Sequence, residues 1–357
     1  MRVVTGSLGF ILLTIVLADA IKTVVVARHT RTLPSITRLF YSASWAPYAA
    51  IGQLIRSESR REHFLGLYGP LSLLVLLSFW ATSMIAAFGM LQWSAGLRFD
   101  GAPSSPVNSV YFSAASFFTL GSIEPQNLPS KYLMVLEAGV GFSFLGLVIG
   151  YLPVLYQSFS NRELRILLLD ARAGSPPSAA ALLLRRGSSA DKLEQRLADW
   201  EECSLDLLQA HLSYPMLAYY RSQHASQSWL AALTVVVDVS ALIAVSAEGD
   251  LRRQAEFTFA AGRHSLVHTA SVFRKRPCPP QLDRLSAADF ARLCGALSSG
   301  STLLRPDCIR APELAELRAM YEPYANSLSA YFRMALPLWL PSEGTLDNWQ
   351  VSWWATR

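Results

Sequence analysis

The chain has 357 residues, of which 52% are apolar and only 16% charged, with a formal net charge of +5. That length leaves room for two or three structural units, and charge this sparse, with the apolar residues gathered in long blocks before about residue 157, excludes a single soluble domain. The basic residues cluster beside the apolar blocks, which points to an anionic lipid surface and topological anchoring and away from nucleic acid.

Residues from about Val3 to Ala27 are apolar except for Asp19 and Lys22. Arg2, an apolar core and Ala18-Asp19-Ala20 also fit a signal peptide. The apolar run resumes through Val24, Val25 and Val26, however, so a retained membrane helix is the preferred reading. Asp19 and Lys22 stand three apart, close enough on a helix to pair with each other. From Arg28 to His63 the chain carries six arginines against Glu58 and Glu62, a bias that assigns this segment to the cytoplasmic side. Within it Leu39, Phe40, Trp45, Tyr48, Ile51, Leu54 and Ile55 suggest a helix lying along the interface, with ordinary core packing as the alternative.

No charged residue occurs between His63 and Arg98, and Phe64 to Trp93 is ample for one tilted span. The segment from Arg98 to Lys131 shows no basic bias and belongs on the opposite side. Tyr132 to about Tyr156 forms the next span. Gly139, Gly141, Gly146 and Gly150 permit close helix approach or bending, and Pro153 removes one helical hydrogen bond. These five residues are the candidates for a gating hinge, with tight packing between copies as the alternative.

Between the two spans lies Ser105 to Pro125, SPVNSVYFSAASFFTLGSIEP. Ser105 suits an N-cap and Pro106 the first helical turn. About twelve residues later the helical pattern stops at Thr119-Leu120-Gly121-Ser122. A helix this short falls well below the roughly twenty residues a span requires. Irregular backbone at membrane depth is tolerated only where protein or a water-filled cavity surrounds it.

The run Phe117-Phe118-Thr119-Leu120-Gly121 resembles the pore-loop signature of the potassium channel superfamily, in which a Thr-Val-Gly-Tyr-Gly-Asp filter follows a short pore helix. Thr119, Leu120 and Gly121 match its first three positions. Ser122 replaces the aromatic residue, Ile123 the second glycine and Glu124 the aspartate. The outer half is closer to the Thr-Ile-Gly-Glu-Thr-Pro filter of cyclic-nucleotide-gated cation channels. The resemblance covers Phe64 to Tyr156 and implies a bacterial two-transmembrane, one-pore-loop ion channel, a homotetramer in the cell inner membrane.

On that resemblance the carbonyls of Thr119, Leu120 and Gly121 line the inner ion sites, and the short helix aims its terminal carbonyls at a cation in the central cavity. Ser122 and Ile123 complete the filter. A β-branched residue at a glycine position is an outlier wherever φ is positive, so weak discrimination between K⁺ and Na⁺ is expected. A ring of Glu124 side chains would gather cations at the mouth. No cofactor is expected beyond the permeant K⁺ or Na⁺, and no catalytic residue. A non-conducting membrane sensor or scaffold that keeps channel architecture is the rival reading, and a membrane enzyme a distant third.

Beyond residue 161 the composition is that of a soluble domain. Links at Gly174-Ser175-Pro176-Pro177 and Gly187-Ser188-Ser189 bracket a short Ala/Leu-rich helix, and Asp191 to Leu212 has helical leucine spacing. Trp229 to Ala247 is nearly long enough to span a bilayer, but Asp238 at its centre would be costly in lipid. It is read as a buried helix with Asp238 hydrogen-bonded inside the domain. His264 and His268 stand four apart but lack a third ligand, so no metal site is expected. The four cysteines, Cys203, Cys278, Cys294 and Cys308, lack paired spacing and read as free or buried thiols in a reducing compartment. Trp339, Trp349, Trp353 and Trp354 read as core or interface packing, with membrane-surface contact as the alternative.

The expected fold class is therefore mainly α: membrane helices with a re-entrant pore helix and filter loop, plus a mostly helical cytosolic C-terminal domain. The expected division is 1–63, an N-terminal membrane helix and basic interfacial segment; 64–160, an ion-channel pore domain; and 161–357, the cytosolic domain. That last domain assembles the tetramer, or binds a cytosolic ligand or partner that nothing in the sequence identifies.

Overall fold

The computed structural model describes residues 1–24, 36–99, 102–121, 124–174, 176–184, 189–223, 227–280, 283–300 and 310–341. The chain is mainly helical. Its elements are α1 (Arg2–Val24), α2 (Ile36–Gln53), α3 (Glu58–Ser94), the two-residue strands β1 (Arg98–Phe99) and β2 (Ala102–Pro103), α4 (Pro106–Phe117), α5 (Leu128–Ala173), α6 (Ala179–Leu184), α7 (Ala190–Ser213), α8 (Trp229–Ser246), α9 (Gly249–Val272), α10 (Ala287–Gly300) and α11 (Ala311–Phe332). Of these, α1, α3, α5 and α8 are long and apolar enough to cross a membrane. The chain divides into two compact units, one of residues 1–51 and 67–157, the other of residues 52–66 and 158–357.

In the first unit α1 packs antiparallel on α3. A Cβ at Gly9 would stand 2.8 Å from the Ala87 carbonyl oxygen, so glycine there lets the two backbones meet. Further along, Asp19 is buried and accepts from Trp80 Nε1 (3.2 Å), Thr37 N (3.1 Å) and Thr37 Oγ1 (2.7 Å). The expected pairing of Asp19 with Lys22 is absent from the ion pairs among the described residues. Helical spacing permitted it, but burying the carboxylate selected donors from α2 and α3. On α2, Tyr41, Trp45 and Ala49 are buried while Leu39 and Ile51 are exposed, as is Leu54 just past its end. Trp45 meets Tyr68 of α3 edge-on at 4.8 Å, and Ser44 hydrogen-bonds the Tyr68 hydroxyl at 2.8 Å.

The second span is longer than its apolar stretch predicts. Charges at Arg162, Glu163 and Arg165 end the apolar run, but nothing there breaks a helix, and α5 continues to Ala173 with Pro153 inside it. It stops at Gly174, where φ is +86° and the amide bonds the Asp170 carbonyl at 3.0 Å, a glycine-dependent C-terminal turn.

The second unit is built around α8. Every α8 residue except Val245 is buried, with α7, α9 and α11 against it. Asp238, at its middle, accepts from Arg284 and from the Tyr321 hydroxyl. Arg284 also bonds the Pro337 carbonyl (2.8 Å) and Glu322 (3.2 Å), and Glu322 in turn pairs with Arg318 at 3.0 Å. The expectation of a buried helix with its aspartate satisfied inside the domain holds. Removing one partner of such a network would leave a buried charge uncompensated, typically about 3–5 kcal/mol.

His211 of α7 is fully buried, edge-on to Trp229 at 4.5 Å, with neither ring nitrogen partnered among the described residues. Burial, with Arg162 nearby, pushes its pKa down to about 3. An unfolded histidine titrates near 6.5, so between those values the unfolded chain holds a proton that the folded chain refuses. Stability therefore falls as pH drops through that window, by at most about 1.4 kcal/mol per pH unit from this group. Thermal unfolding of the full chain in detergent should show His211→Phe less acid-sensitive than wild type between about pH 6.5 and pH 4. Equal slopes would dismiss this assignment.

Candidate functional site

The segment flanking α4 is shaped by local chemistry at both ends. Ser105 is extended and its Oγ accepts from the Asn108 amide at 3.1 Å, while Pro106 occupies the first turn. At the far end the Phe118 amide bonds Ala114 O (3.1 Å), Thr119 bonds Ser116 O (3.1 Å) and Leu120 bonds Ala115 O (2.9 Å). The last two bonds form a Schellman closure around a left-handed residue. That residue is Thr119, with φ +53°. Glycine or asparagine usually takes this place; a β-branched side chain there is a genuine outlier. Such strain costs on the order of 1–3 kcal/mol and clusters at functional positions.

Two long helices hold α4. From α3, the Ile85 carbonyl accepts from Ser113 Oγ at 2.7 Å, and Gly89 admits Val110, whose Cγ2 would stand 2.8 Å from a Cβ there. From α5, Glu137 meets the same Ser113 hydroxyl, Phe144 lies 6.0 Å from the Phe117 ring, and Gly141 takes the Phe117 carbonyl. A Cβ on Gly141 would be 2.0 Å from that oxygen. Gly141 stands about 20 Å along α5 from Leu128, at the usual helical rise. The chain therefore travels the length of α4 beside α5 and must return within residues 118–127. It does: the Gln126 amide reaches the Arg98 carbonyl (3.3 Å), and Asn127 Nδ2 the Ala95 carbonyl (3.1 Å), both just past the end of α3.

At the inner end of this hairpin Phe118, Thr119, Leu120 and Gly121 are all exposed in the single chain. Gly121 has φ +79°, so φ is positive at Thr119 and again at Gly121. Ser122 and Ile123 lie outside the described residues. Glu124 is exposed and bonded to Lys131 at 2.6 Å, and that contact holds its carboxyl below the usual range. Of the terminal α4 carbonyls, those of Ala114, Ala115 and Ser116 accept from the Phe118, Leu120 and Thr119 amides. The left-handed turn at Thr119 folds the following amides back onto them.

The five hinge candidates separate. Gly141 is a contact glycine. Gly139, Gly146 and Gly150 face open space, and Pro153 is exposed on the uninterrupted α5. Around them Leu136, Phe142, Leu145 and Ile149 are exposed too, an apolar face that one chain leaves uncovered. Two residues with direct roles in seating α4, Ser113 and Glu137, were not singled out from sequence. The signal was present, since Glu137 is the only acidic residue between Lys131 and Arg162, and such residues in apolar spans are rarely idle.

In the second unit a cleft of about 700 Å³ opens between α5, α7 and α8, bordered by Arg165, Leu169, Trp200, Cys203, Asp206 and Trp229. Arg165 is already engaged by Cys203 and Asp206, each at 3.0 Å. Among the described residues none of the lining groups is a buried polar atom lacking a partner. The described cysteines are free. Cys308, Trp349, Trp353 and Trp354 lie outside the described residues, whereas Trp339 is buried. His264 and His268 lie with ring centroids 4.1 Å apart, tilted by 45°, on the exposed side of α9, and no group of three metal-ligating side chains occurs among the described residues.

Compared with protein-family models, curated proteins and solved structures, the chain has no match.

The glycine geometry carries a direct test. Gly141→Ala should lower the thermal midpoint of the detergent-solubilised protein, since the added methyl collides with backbone, a clash typically costing about 1–3 kcal/mol. Gly139→Ala, whose added methyl meets nothing within its own chain, should cost less than Gly141→Ala. Equal effects would mean that α4 does not seat on Gly141.

Proposed function

We propose that the chain is one subunit of a homotetrameric cation channel, with α4 as a re-entrant pore helix and residues 119–124 as the filter loop. The observation that carries this reading is the hairpin itself. A twelve-residue helix between two apolar helices runs about 20 Å along α5 and returns to its starting level, presenting Thr119-Leu120-Gly121 unburied. Irregular backbone at that depth requires a surrounding of protein or water, and copies of the chain around a common axis supply both. The uncovered face around Gly139, Gly146 and Gly150 gives those copies a surface on which to pack. The filter resemblance of Thr119, Leu120 and Gly121 agrees with this arrangement, as does the basic 28–63 segment, which places the loop on the outer side of a cell membrane and the second unit in the cytoplasm.

Discrimination between K⁺ and Na⁺ is weak on this reading. The left-handed closure at Thr119 departs from an extended filter ladder, and regular rings of carbonyls are what replace lost hydration. The same closure favours a second reading, a non-conducting sensor or scaffold with channel architecture. Purified protein in a planar bilayer, under opposed K⁺ and Na⁺ gradients, should give a reversal potential near zero with cations preferred over anions. A value at the potassium limit would overturn the weak-selectivity argument, and absence of current under all conditions would favour the scaffold.

The Glu124–Lys131 pair makes the mouth tunable. At low ionic strength Lys131→Gln should raise single-channel conductance and Glu124→Gln should lower it, because exposed charges attract ions only within the screening length. The difference should vanish at about 1 M salt, where that length is about 3 Å. Identical conductances at low salt would remove Glu124 from the permeation path.

A further inference from the structure

We infer that Glu137 is the positioning residue of α4, and that it acts as a neutral acid: its carboxyl hydrogen goes to Ser113 Oγ, and the Ser113 hydrogen goes to the Ile85 carbonyl. A two-link hydrogen-bond chain then ties α5 through α4 to α3.

The argument is a count of hydrogens. Ser113 Oγ lies 2.7 Å from Ile85 O and in contact with Glu137 Oε1. A hydroxyl has one hydrogen, and neither a backbone carbonyl nor a carboxylate has any to donate. Were Glu137 ionised, one hydrogen would have to serve two acceptors, and one contact would be oxygen against oxygen. A protonated carboxyl satisfies both contacts at once.

The surroundings agree. Glu137 is fully buried, and its Oε2 has no hydrogen-bond partner among the described residues. A buried carboxylate is tolerated only when paired. Among the described residues no ion pair to it occurs. Helix α4 carries no charged residue, α3 carries none between His63 and its end, and α5 has none between Lys131 and Arg162 apart from Glu137 itself. Lys131 is half-exposed and engaged by Glu124. Ser113 precedes the Schellman turn by little more than one helical turn, so whatever fixes Ser113 also fixes where Thr119, Leu120 and Gly121 stand.

The test uses the full chain in lipid nanodiscs. The infrared difference between wild type and Glu137→Gln at neutral pH should contain a protonated-carboxyl C=O stretch, and Ser113→Ala should shift that stretch by removing its acceptor. An ionised-carboxylate signal in its place, or a stretch indifferent to Ser113→Ala, overturns the inference. Glutamine keeps a donor at this site, so Glu137→Gln should retain the wild-type thermal midpoint. Glu137→Asp, one methylene short, should lower it. The effect on conduction rests on the channel reading: flux should survive in Glu137→Gln and fall about tenfold in Glu137→Asp, the scale of one lost buried hydrogen bond. Failure of the channel reading would appear as absent flux in wild type as well, and the infrared arm would then decide the inference alone.

Discussion

The contact on which the loop depends is between a glycine and a carbonyl. Phe117 ends α4 with its oxygen pressed against Gly141 of α5, closer than any side chain would allow. That approach sets how far α4 runs along α5, and therefore where the chain turns. The turn then satisfies the carbonyls of Ala114, Ala115 and Ser116. The backbone does so internally, by folding Thr119 into a left-handed conformation and giving the Thr119 and Leu120 amides back to α4. The strain at Thr119 and the exposure of Leu120 and Gly121 are consequences of that closure.

The seating of α4 also shows how an apolar environment disciplines polar side chains. Asp19 and Glu137 are the buried acids among the described residues of the first unit, and each holds a helix in place. Asp19 joins α1 to α2 and α3 through Thr37 and Trp80; Glu137 meets Ser113 of α4. In surroundings where every unmatched polar atom is expensive, a single acid with the right partners specifies a packing arrangement that apolar side chains alone would leave loose.

The second unit uses the same physics at its centre. By composition and length α8 is indistinguishable from a span, yet Asp238 in its middle draws in Arg284, Tyr321 and, through Arg284, Glu322 and Pro337. A helix this apolar stays buried when other helices cover it. The aspartate helps decide which segments do the covering, because they must bring it donors, here the Arg284 guanidinium and the Tyr321 hydroxyl.

What the sequence determined by itself was local. Ser105-Pro106 started α4, and the uncharged short residues at Thr119 ended it. Apolar stretches located α1 and α3, and Asp238 gave away the burial of α8, because capping, propensity and the cost of charge in an apolar medium act within a turn or two of chain. The length of α5 was misread for a related reason: charge at Arg162 ends an apolar run, but only Gly174 ends the helix. What tertiary structure decided was partnership. Asp19 found Thr37 and Trp80 although Lys22 was nearer in sequence, Gly141 was separated from Gly139, Gly146 and Gly150, and Glu137 acquired Ser113. Those outcomes depend on which backbone lies opposite, at separations of 18 to 61 residues for the bonded pairs, and no local pattern encodes such a distance.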